Sequence, residues 1–352
     1  MFVKLLCSEK SRAETGMKDT DKKTIKINFL DFWPDLDPKD NYFTNILSEH
    51  FDVELSDNPD YVICSEFGYE HTKPKYRNCI KIMFSGENLV PDFNSYDYAI
   101  GFHHIDFEDR YLRLPLYVLY TDIIDKALNK HEITREDFLK RKGFCSYVIS
   151  NPDASEARDG IIDSLSEYKE LASGGRYRNN VGGPVKDKLA FIGEYRFSLA
   201  IENSCTSGYT TEKILQAFAA GTVPIYWGDP RIKQEFNEKS FIYAGDFDNY
   251  DELRAYVKDI NEDDDKYLAM AKAPIITDDS KAAKYFEKKY AEEFLLHIFE
   301  QPLEKAYRRN MVYFGRRYQN RMRDLYRVQK VIDVIGKPVH LCKKIFRQIT
   351  SK

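Results

Sequence analysis

From Thr24 the chain alternates apolar and polar positions, Thr24-Ile25-Lys26-Ile27-Asn28-Phe29-Leu30, a period of two that predicts a strand. Short apolar runs recur at Tyr61–Cys64, Ile80–Phe84 and Tyr98–Gly101, and helical spacing covers Tyr42–His50. This alternation predicts a βα-type half-domain over 24–145. A charged helical stretch over 123–141 leads into a buried-type strand over 143–150, stopped by the turn dipeptide Asn151-Pro152. The alternation then repeats. Helices are predicted at 154–168, 185–195 and 210–220, and strands at 196–203, 223–227 and 240–244, with a Gly/Arg/Asn loop at 173–183 between them. A second α/β half over 146–304 follows, and residues 1–23 read as a polar leader without periodicity.

Composition changes this picture in two places. Apolar content of 43% with 14% aromatics supports packed cores rather than disorder. The net charge of −4 conceals an asymmetry, because residues 305–352 carry 14 lysines and arginines against Asp324 and Asp333. The acidic remainder does not suggest a nucleic-acid-binding face on the body, whereas the basic tail suggests an acidic partner, a membrane surface or, without any recognisable binding module, nucleic acid. In the tail, Tyr307, Met311, Phe314, Tyr318, Met322, Leu325, Val328, Ile332 and Ile335 recur at three- and four-residue spacing, a basic amphipathic helix that Lys343-Lys344-Ile345-Phe346 extends. Three readings stand: lying on an anionic membrane surface, self-association as a coiled coil, or packing of its first turns back on the body. The six cysteines show no C-x-x-C spacing and read as reduced thiols. The apolar start, Met1 to Leu6, is too short for a signal peptide and no run is long enough to span a bilayer, so the expected location is cytoplasmic, peripheral to the inner face of the membrane if the tail binds there.

The candidate chemistry concentrates between Phe197 and Pro230. A strand ends in Glu202-Asn203, a loop carries Gly208 and Tyr209, and a helix opens at Thr210-Thr211-Glu212-Lys213. Polar groups thus gather beyond a strand's carboxyl end, where α/β proteins hold ligands. The helix start offers backbone N–H groups and a positive dipole end to a diphosphate, with Lys213 adding charge. On physics alone an equally good account has Glu212 complementing the dipole, Lys213 solvated and Glu202-Asn203 capping a turn.

The whole string Tyr195-Arg-Phe-Ser-Leu-Ala-Ile-Glu-Asn-Ser-Cys-Thr-Ser-Gly-Tyr-Thr-Thr-Glu-Lys213, followed by Pro224-Ile-Tyr-Trp-Gly228, closely resembles the signature of the α-1,3-fucosyltransferases, glycosyltransferase family 10, of bacterial type. Phe84-Ser-Gly-Glu-Asn88 resembles that family's G-E-N segment, Asp109-Arg-Tyr-Leu-Arg-Leu-Pro-Leu-Tyr117 follows it, and Ser150-Asn151-Pro152 with Arg158 resembles its donor-binding arginine region. The resemblance covers roughly residues 24–300. Arg196 stands where many members have lysine, and Thr210 replaces a usual apolar residue.

The resemblance implies a GT-B fold, two Rossmann-like domains facing a cleft, with an N-terminal acceptor half and a C-terminal half for GDP-fucose. It implies inverting transfer of L-fucose to the 3-hydroxyl of GlcNAc in a lactosamine-type acceptor, a Lewis x type product. Glu87 would be the base, Arg158 and Lys213 would meet the diphosphate, and Ser150, Asn151, Glu202, Asn203, Tyr209, Thr211 and Glu212 would complete the donor site. Cations at the diphosphate make a metal unnecessary in this scheme. The competing Asp35-Leu36-Asp37, a D-x-D flanked by Pro34 and Pro38, reads as a loop feature, and Glu262-Asp263-Asp264-Asp265 as a solvated helix start. Phe32 and Trp33 offer aromatic faces to an acceptor sugar; His103 and His104 have no assigned role. Two other readings remain open: the same fold with α-1,4 linkage or another acceptor or sugar, and a glycan-binding relative without turnover.

Overall fold

The computed structural model describes residues 22–141, 143–153 and 155–350, without the side chains of 333, 335 and 337–350. The predicted leader up to residue 21, the first residue of the helix expected at 154, and the tail positions Ile335 and Lys343 to Phe346 as side chains therefore lie outside the described residues.

Eleven strands are assigned among the described residues: β1 (Thr24–Leu30), β2 (Asp52–Leu55), β3 (Tyr61–Cys64), β4 (Ile80–Phe84), β5 (Tyr98–Gly101), β6 (Tyr111–Arg113), β7 (Gly143–Tyr147), β8 (Leu171–Ser173), β9 (Tyr195–Ile201), β10 (Val223–Trp227) and β11 (Ile242–Tyr243). The helices are α1 (Tyr42–His50), α2 (Thr121–Leu128), α3 (Arg135–Leu139), α4 (Glu156–Tyr168), α5 (Lys188–Gly193), α6 (Lys213–Ala219), α7 (Tyr250–Glu262), α8 (Asp264–Lys272), α9 (Ala282–Phe286), α10 (Lys288–Glu300), α11 (Leu303–Ala306) and α12 (Phe314–Thr350). One sheet has the order β2-β1-β3-β4-β5-β6 and the other β11-β10-β9-β7-β8. The registered pairs are parallel throughout.

The two inner strands β3 and β4 are buried at every position, as expected where helices cover both faces of a parallel sheet. β4 nevertheless contains Lys81, whose ammonium donates to the His71 carbonyl at 2.6 Å. Burial pushes that ammonium down to about 8. Asn41 caps α1 by accepting from the N–H groups of Phe43 and Thr44, and Asp263 caps α8 in the same way through Asp265 and Lys266. The acidic run at 262–265 is thus a helix end followed by a helix start.

Compactness divides the described chain into a larger unit, residues 86–90 and 101–295, and a smaller unit, residues 22–85, 91–100 and 296–350. The expected boundary at 145–146 falls inside the larger unit, because α2 packs against α6. Residues from 296 onward join the smaller unit, with the Phe299 ring centroid 4.4 Å from that of Tyr61 in a tilted contact and the Phe299 carbonyl accepting from Lys23 at 2.8 Å.

The expected tail helix from Tyr307 begins instead at Phe314. Arg309 before it is turned inward: its Nε donates to Asp97 Oδ2 at 2.8 Å, and the N–H groups of Arg308 and Arg309 donate to Asp97 Oδ1 at 2.8 and 2.9 Å. Part of the tail's positive charge is therefore structural. Within the smaller unit, Tyr326 stacks on Tyr69 at 4.0 Å and the Tyr318 hydroxyl donates to Asp92 at 3.1 Å, whereas Leu325, Val328, Val331, Ile332 and Val334 are exposed. Among the described residues no helix is long and apolar enough to cross a membrane.

Candidate functional site

In the second sheet the chain runs outward from β7 to β8, then returns to β9 on the other side of β7 and continues to β10 and β11. The strand order reverses between β7 and β9, and ligands of open α/β sheets bind outside the carboxyl ends at such a point. Ser150-Asn151 follows β7 and Glu202-Asn203 follows β9. The two loops are joined by the Ser155 N–H, which donates to the Asn203 carbonyl at 3.2 Å.

Glu202 is the hub of the second loop and is fully buried. Its Oε1 accepts from the Thr211 N–H at 2.7 Å, and its Oε2 from Lys213 Nζ at 2.6 Å; the Thr211 hydroxyl lies 2.7 and 2.9 Å from the two oxygens. A buried carboxylate needs such partners to remain charged. The Thr211 N–H is thus committed to Glu202, and α6 begins at Lys213 rather than at the expected 210. The expectation that the helix start holds N–H groups in reserve for a diphosphate is corrected at that position. Burial works against the Lys213 charge, but Glu202 and Glu212 outweigh it and raise its pKa. Glu212 moves below the usual carboxylate range, since Lys213 and Lys188 overcome the effect of burial. Lys188 Nζ lies 3.8 Å from Glu212 Oε1.

Arg158 is 2% exposed. Its guanidinium donates to the carbonyls of Asn151 at 2.9 Å and Pro152 at 2.6 Å and lies over the Tyr177 ring. In this conformation it fixes the turn after β7. Ser150 and Asn151 are exposed and Asn203 is half-buried, while Tyr209 is buried with its ring edge-on to Phe102 at 5.1 Å. Burial raises the Tyr209 phenol, with Lys213 opposing and Glu202 and Glu87 adding to the shift. Its hydroxyl therefore shares the field of the same cluster.

The segment 86–90 belongs to the larger unit and enters this cluster. Glu87 is half-buried; burial raises its carboxyl above the usual range, Lys213 opposes the shift, and Glu212 and Glu202 reinforce it. Its neighbour Asn88 donates through one amide nitrogen to Ser204 Oγ and to Thr206 Oγ1, both at 2.7 Å. Sequence reasoning passed over Asn88, although it stands in the quoted Gly-Glu-Asn.

Arg113 was also missed, though it lies in the quoted segment from Asp109 to Tyr117. Its side chain donates to the carbonyls of Phe102 at 2.7 Å and Gly208 at 3.0 Å and pairs with buried Glu235, which also accepts from the Tyr117 hydroxyl at 2.8 Å. Gly208 has φ +92°, and a Cβ there would stand 2.4 Å from the Phe102 carbonyl oxygen, so only glycine fits this close approach. His104, Asp229 and Glu235 bring three ligand-type atoms within 4.8 Å of one another. Arg113 is the cation facing them, 4.0 Å from Asp229 and bonded to Glu235. His104 is pushed down to about 4 by burial and by Arg113 and Arg231, which keeps it neutral. Arg196 lies over the Tyr267 ring at 4.0 Å and pairs with Asp264, a structural position.

The first sheet reverses between β1 and β3. Phe32 and Trp33 follow β1, and Phe67 follows β3. Phe32 stacks on Phe84 at 6.2 Å and meets Trp33 edge-on at 5.4 Å; Trp33 meets Phe67 at 6.1 Å. Phe67 is 45% exposed and joins the aromatic group that the sequence reading left at two. Asp31, at φ +61°, is held by the N–H groups of Glu70 at 2.6 Å and His71 at 3.1 Å. Asp37 serves the turn after Trp33, its Oδ1 accepting from the Lys39 N–H at 2.8 Å.

Comparison with known proteins adds the family evidence. Residues 27–120 match the model for the "Alpha-(1,3)-fucosyltransferase FucT N-terminal domain", and residues 138–272 that for "Glycosyltransferase family 10 (fucosyltransferase) C-term". The chain is 34% identical over 322 residues to the alpha-(1,3)-fucosyltransferase FucT of Helicobacter pylori, covering 80% of this chain and 66% of that protein. A crystal structure of an alpha1,3-fucosyltransferase is similar with TM-score 0.71 and 32% identity, covering 81% of this chain and 92% of that one. A further crystal structure, of an alpha1,3-fucosyltransferase with GDP-fucose, gives 0.65 and 30%, covering 80% of this chain and 94% of that one. Human GDP-fucose protein O-fucosyltransferase 3 is 29% identical over 175 residues, 46% of this chain and 36% of its own length. The chain thus spans under two thirds of these curated relatives.

Proposed function

Because the chain belongs to the glycosyltransferase family 10 α-1,3-fucosyltransferases, with the two parallel sheets of the GT-B fold, we propose that it transfers L-fucose from GDP-β-L-fucose to a sugar hydroxyl with inversion. The observation that carries the reading is the convergence of Glu87, Glu202, Glu212 and Lys213 at the β7–β9 reversal in the larger unit.

Glu87 acts as the base. Its carboxylate takes the proton of the acceptor hydroxyl as that oxygen bonds to the fucose C1, while the C1–O bond to the diphosphate breaks and GDP leaves with the electron pair. A positioned base contributes roughly 10²–10⁴ in rate. Lys213 neutralises the charge gathering on the leaving diphosphate. Arg158, whose hydrogen bonds serve the Asn151-Pro152 turn, supports it through its field at low dielectric. Ser150, Asn151, Asn203, Tyr209, Thr211 and Glu212 complete the donor site, and these cations make the scheme independent of a metal. Phe32, Trp33 and Phe67 give the acceptor sugar an aromatic face.

The 3-hydroxyl of GlcNAc in a lactosamine-type glycan is the acceptor we assign. The similarity to a protein O-fucosyltransferase supports a second reading, a peptide hydroxyl acceptor. We assign the exposed apolar stripe of α12 to an anionic membrane surface or a second copy of the chain. Incubation with GDP-fucose and excess chelator, with lactosamine or an acceptor peptide, followed by NMR of the product, tests the reading. An α-fucoside on the GlcNAc 3-hydroxyl supports it. A β-fucoside overturns the inverting scheme, dependence on added metal overturns the metal-free site, and fucosyl peptide alone moves the acceptor to the second reading.

A further inference from the structure

The loop from Asn203 to Glu212 has little regular structure of its own and is pinned by side chains from elsewhere in the larger unit. Glu202 holds Thr211, Asp229 Oδ2 lies 3.4 Å from the Thr210 hydroxyl, and Arg113 holds the Gly208 carbonyl. At 204–206 the pin is Asn88, whose amide nitrogen lies 2.7 Å from two hydroxyl oxygens that are two residues apart in sequence. The Glu202 and Asp229 pins are side chains next to the sheet's own strand ends. Asn88 differs because it adjoins Glu87 in sequence.

We propose that Asn88 is a positioning residue for the transfer reaction, its carboxamide setting Glu87 in register with the donor loop by bridging Ser204 and Thr206. This rests on the reading of Glu87 as base. The bridge works because a primary amide has two N–H groups diverging from one nitrogen, so two acceptors fix both its place and its orientation. Such an anchor fixes the backbone next to Glu87, and with it the point from which the carboxylate reaches the reacting atoms. Proton transfer depends steeply on that placement, since a shift of about 1 Å costs on the order of 10²-fold in rate. Lys213, Glu212 and Glu202 are among the charged groups that act on Glu87, and the same anchor holds the base within their field.

Asn88→Ala and, from the opposite side, Ser204→Ala with Thr206→Val test this in the full chain, with Glu87→Gln as reference. Ser204 and Thr206 are half-buried, which lets the second variant keep the fold, checked by its melting temperature. The expected result is a kcat loss of about ten- to a hundred-fold in both variants, with GDP-fucose Kd within about three-fold of the parent. Combining all three substitutions should cost no more than Asn88→Ala alone. The acid limb of kcat/KM should also move toward lower pH as Glu87 gains water. Two outcomes overturn the proposal while Glu87→Gln still abolishes turnover: both variants within two-fold of the parent in kcat, or losses that multiply in the combined variant. Full turnover by Glu87→Gln would instead remove the base assignment on which the proposal rests.

Discussion

Each of the two sheets reverses its strand order once, two strands in from one edge, and the loops at the two reversals carry opposite chemistry. After β7 and β9, in the larger unit, stand Ser150, Asn151, Arg158, Glu202 and Lys213, with Arg158 bonded to the Asn151 carbonyl, Lys213 to Glu202, and the two loops joined through Ser155 and Asn203. After β1 and β3, in the smaller unit, stand Phe32, Trp33 and Phe67, in edge and stacking contact. The same topological feature thus carries a charged cluster once and an aromatic cluster once. The charged one requires a satisfied hub, because burying a charged or polar group such as the Glu202 carboxyl is costly unless hydrogen-bonding partners surround it. The aromatic one tolerates exposure, and Phe67 shows it at 45%.

The comparison breaks most visibly at Lys213. Lys213→Ala leaves Glu202 buried and short of its cation, and removal of one partner from such a pair costs about 3–5 kcal/mol. With Lys213 itself 19% exposed, the low end is expected. GDP-fucose affinity should fall by roughly ten- to a hundred-fold at the same time, the value of a charge-assisted phosphate contact. Chemical denaturation and calorimetry on the one variant read both effects.

Acidity sharpens the same contrast. Burial raises Glu87 above the ordinary carboxylate range, so kcat/KM should fall about ten-fold per pH unit below that raised value as the base becomes protonated. Its effect on folding has the opposite sense: the folded state holds this proton more tightly, so stability from this group is lost as pH rises from the ordinary range to the raised one. A rate profile on intact protein should therefore show its acid limb above the range of a solvent-exposed glutamate, and a limb inside that range would contradict the burial argument.

The smallest effect belongs to the aromatic side. Trp33→Ala and Phe67→Ala should raise the acceptor KM by about three- to ten-fold, the scale of an aromatic contact, with donor affinity unchanged. Parallel KM determinations for donor and acceptor measure it. A change in donor affinity instead would show that the two reversals do not divide the substrates as argued.

Strands with strong apolar patterns were legible in the chain: β1, β3, β4, β5 and β10 lie at the predicted residues. The short strands β2, β6 and β8 were not, because β6 and β8 have only three residues each, too few for a periodicity, and β2 is mostly exposed and lacks an apolar run. The start of α6 was misplaced by three residues because Thr210 and Thr211 have side-chain partners, Asp229 and Glu202, that draw them out of the helix. The tail helix was begun seven residues early because apolar spacing hid Arg309, whose pairing with Asp97 is a tertiary fact. In the site, motif resemblance supplied the residues of the Glu202–Lys213 loop and Glu87. It did not show Asn88 and Arg113 as the groups that hold that loop, since hydroxyl and carbonyl partners about 100 residues away leave no local pattern.

The measurement closest to the central claim pairs GDP-fucose titration with turnover for Glu87→Gln. The account predicts donor Kd within about three-fold of the parent and turnover lower by at least 10²-fold. Turnover near the parent's, or loss of donor binding in step with loss of rate, would contradict it.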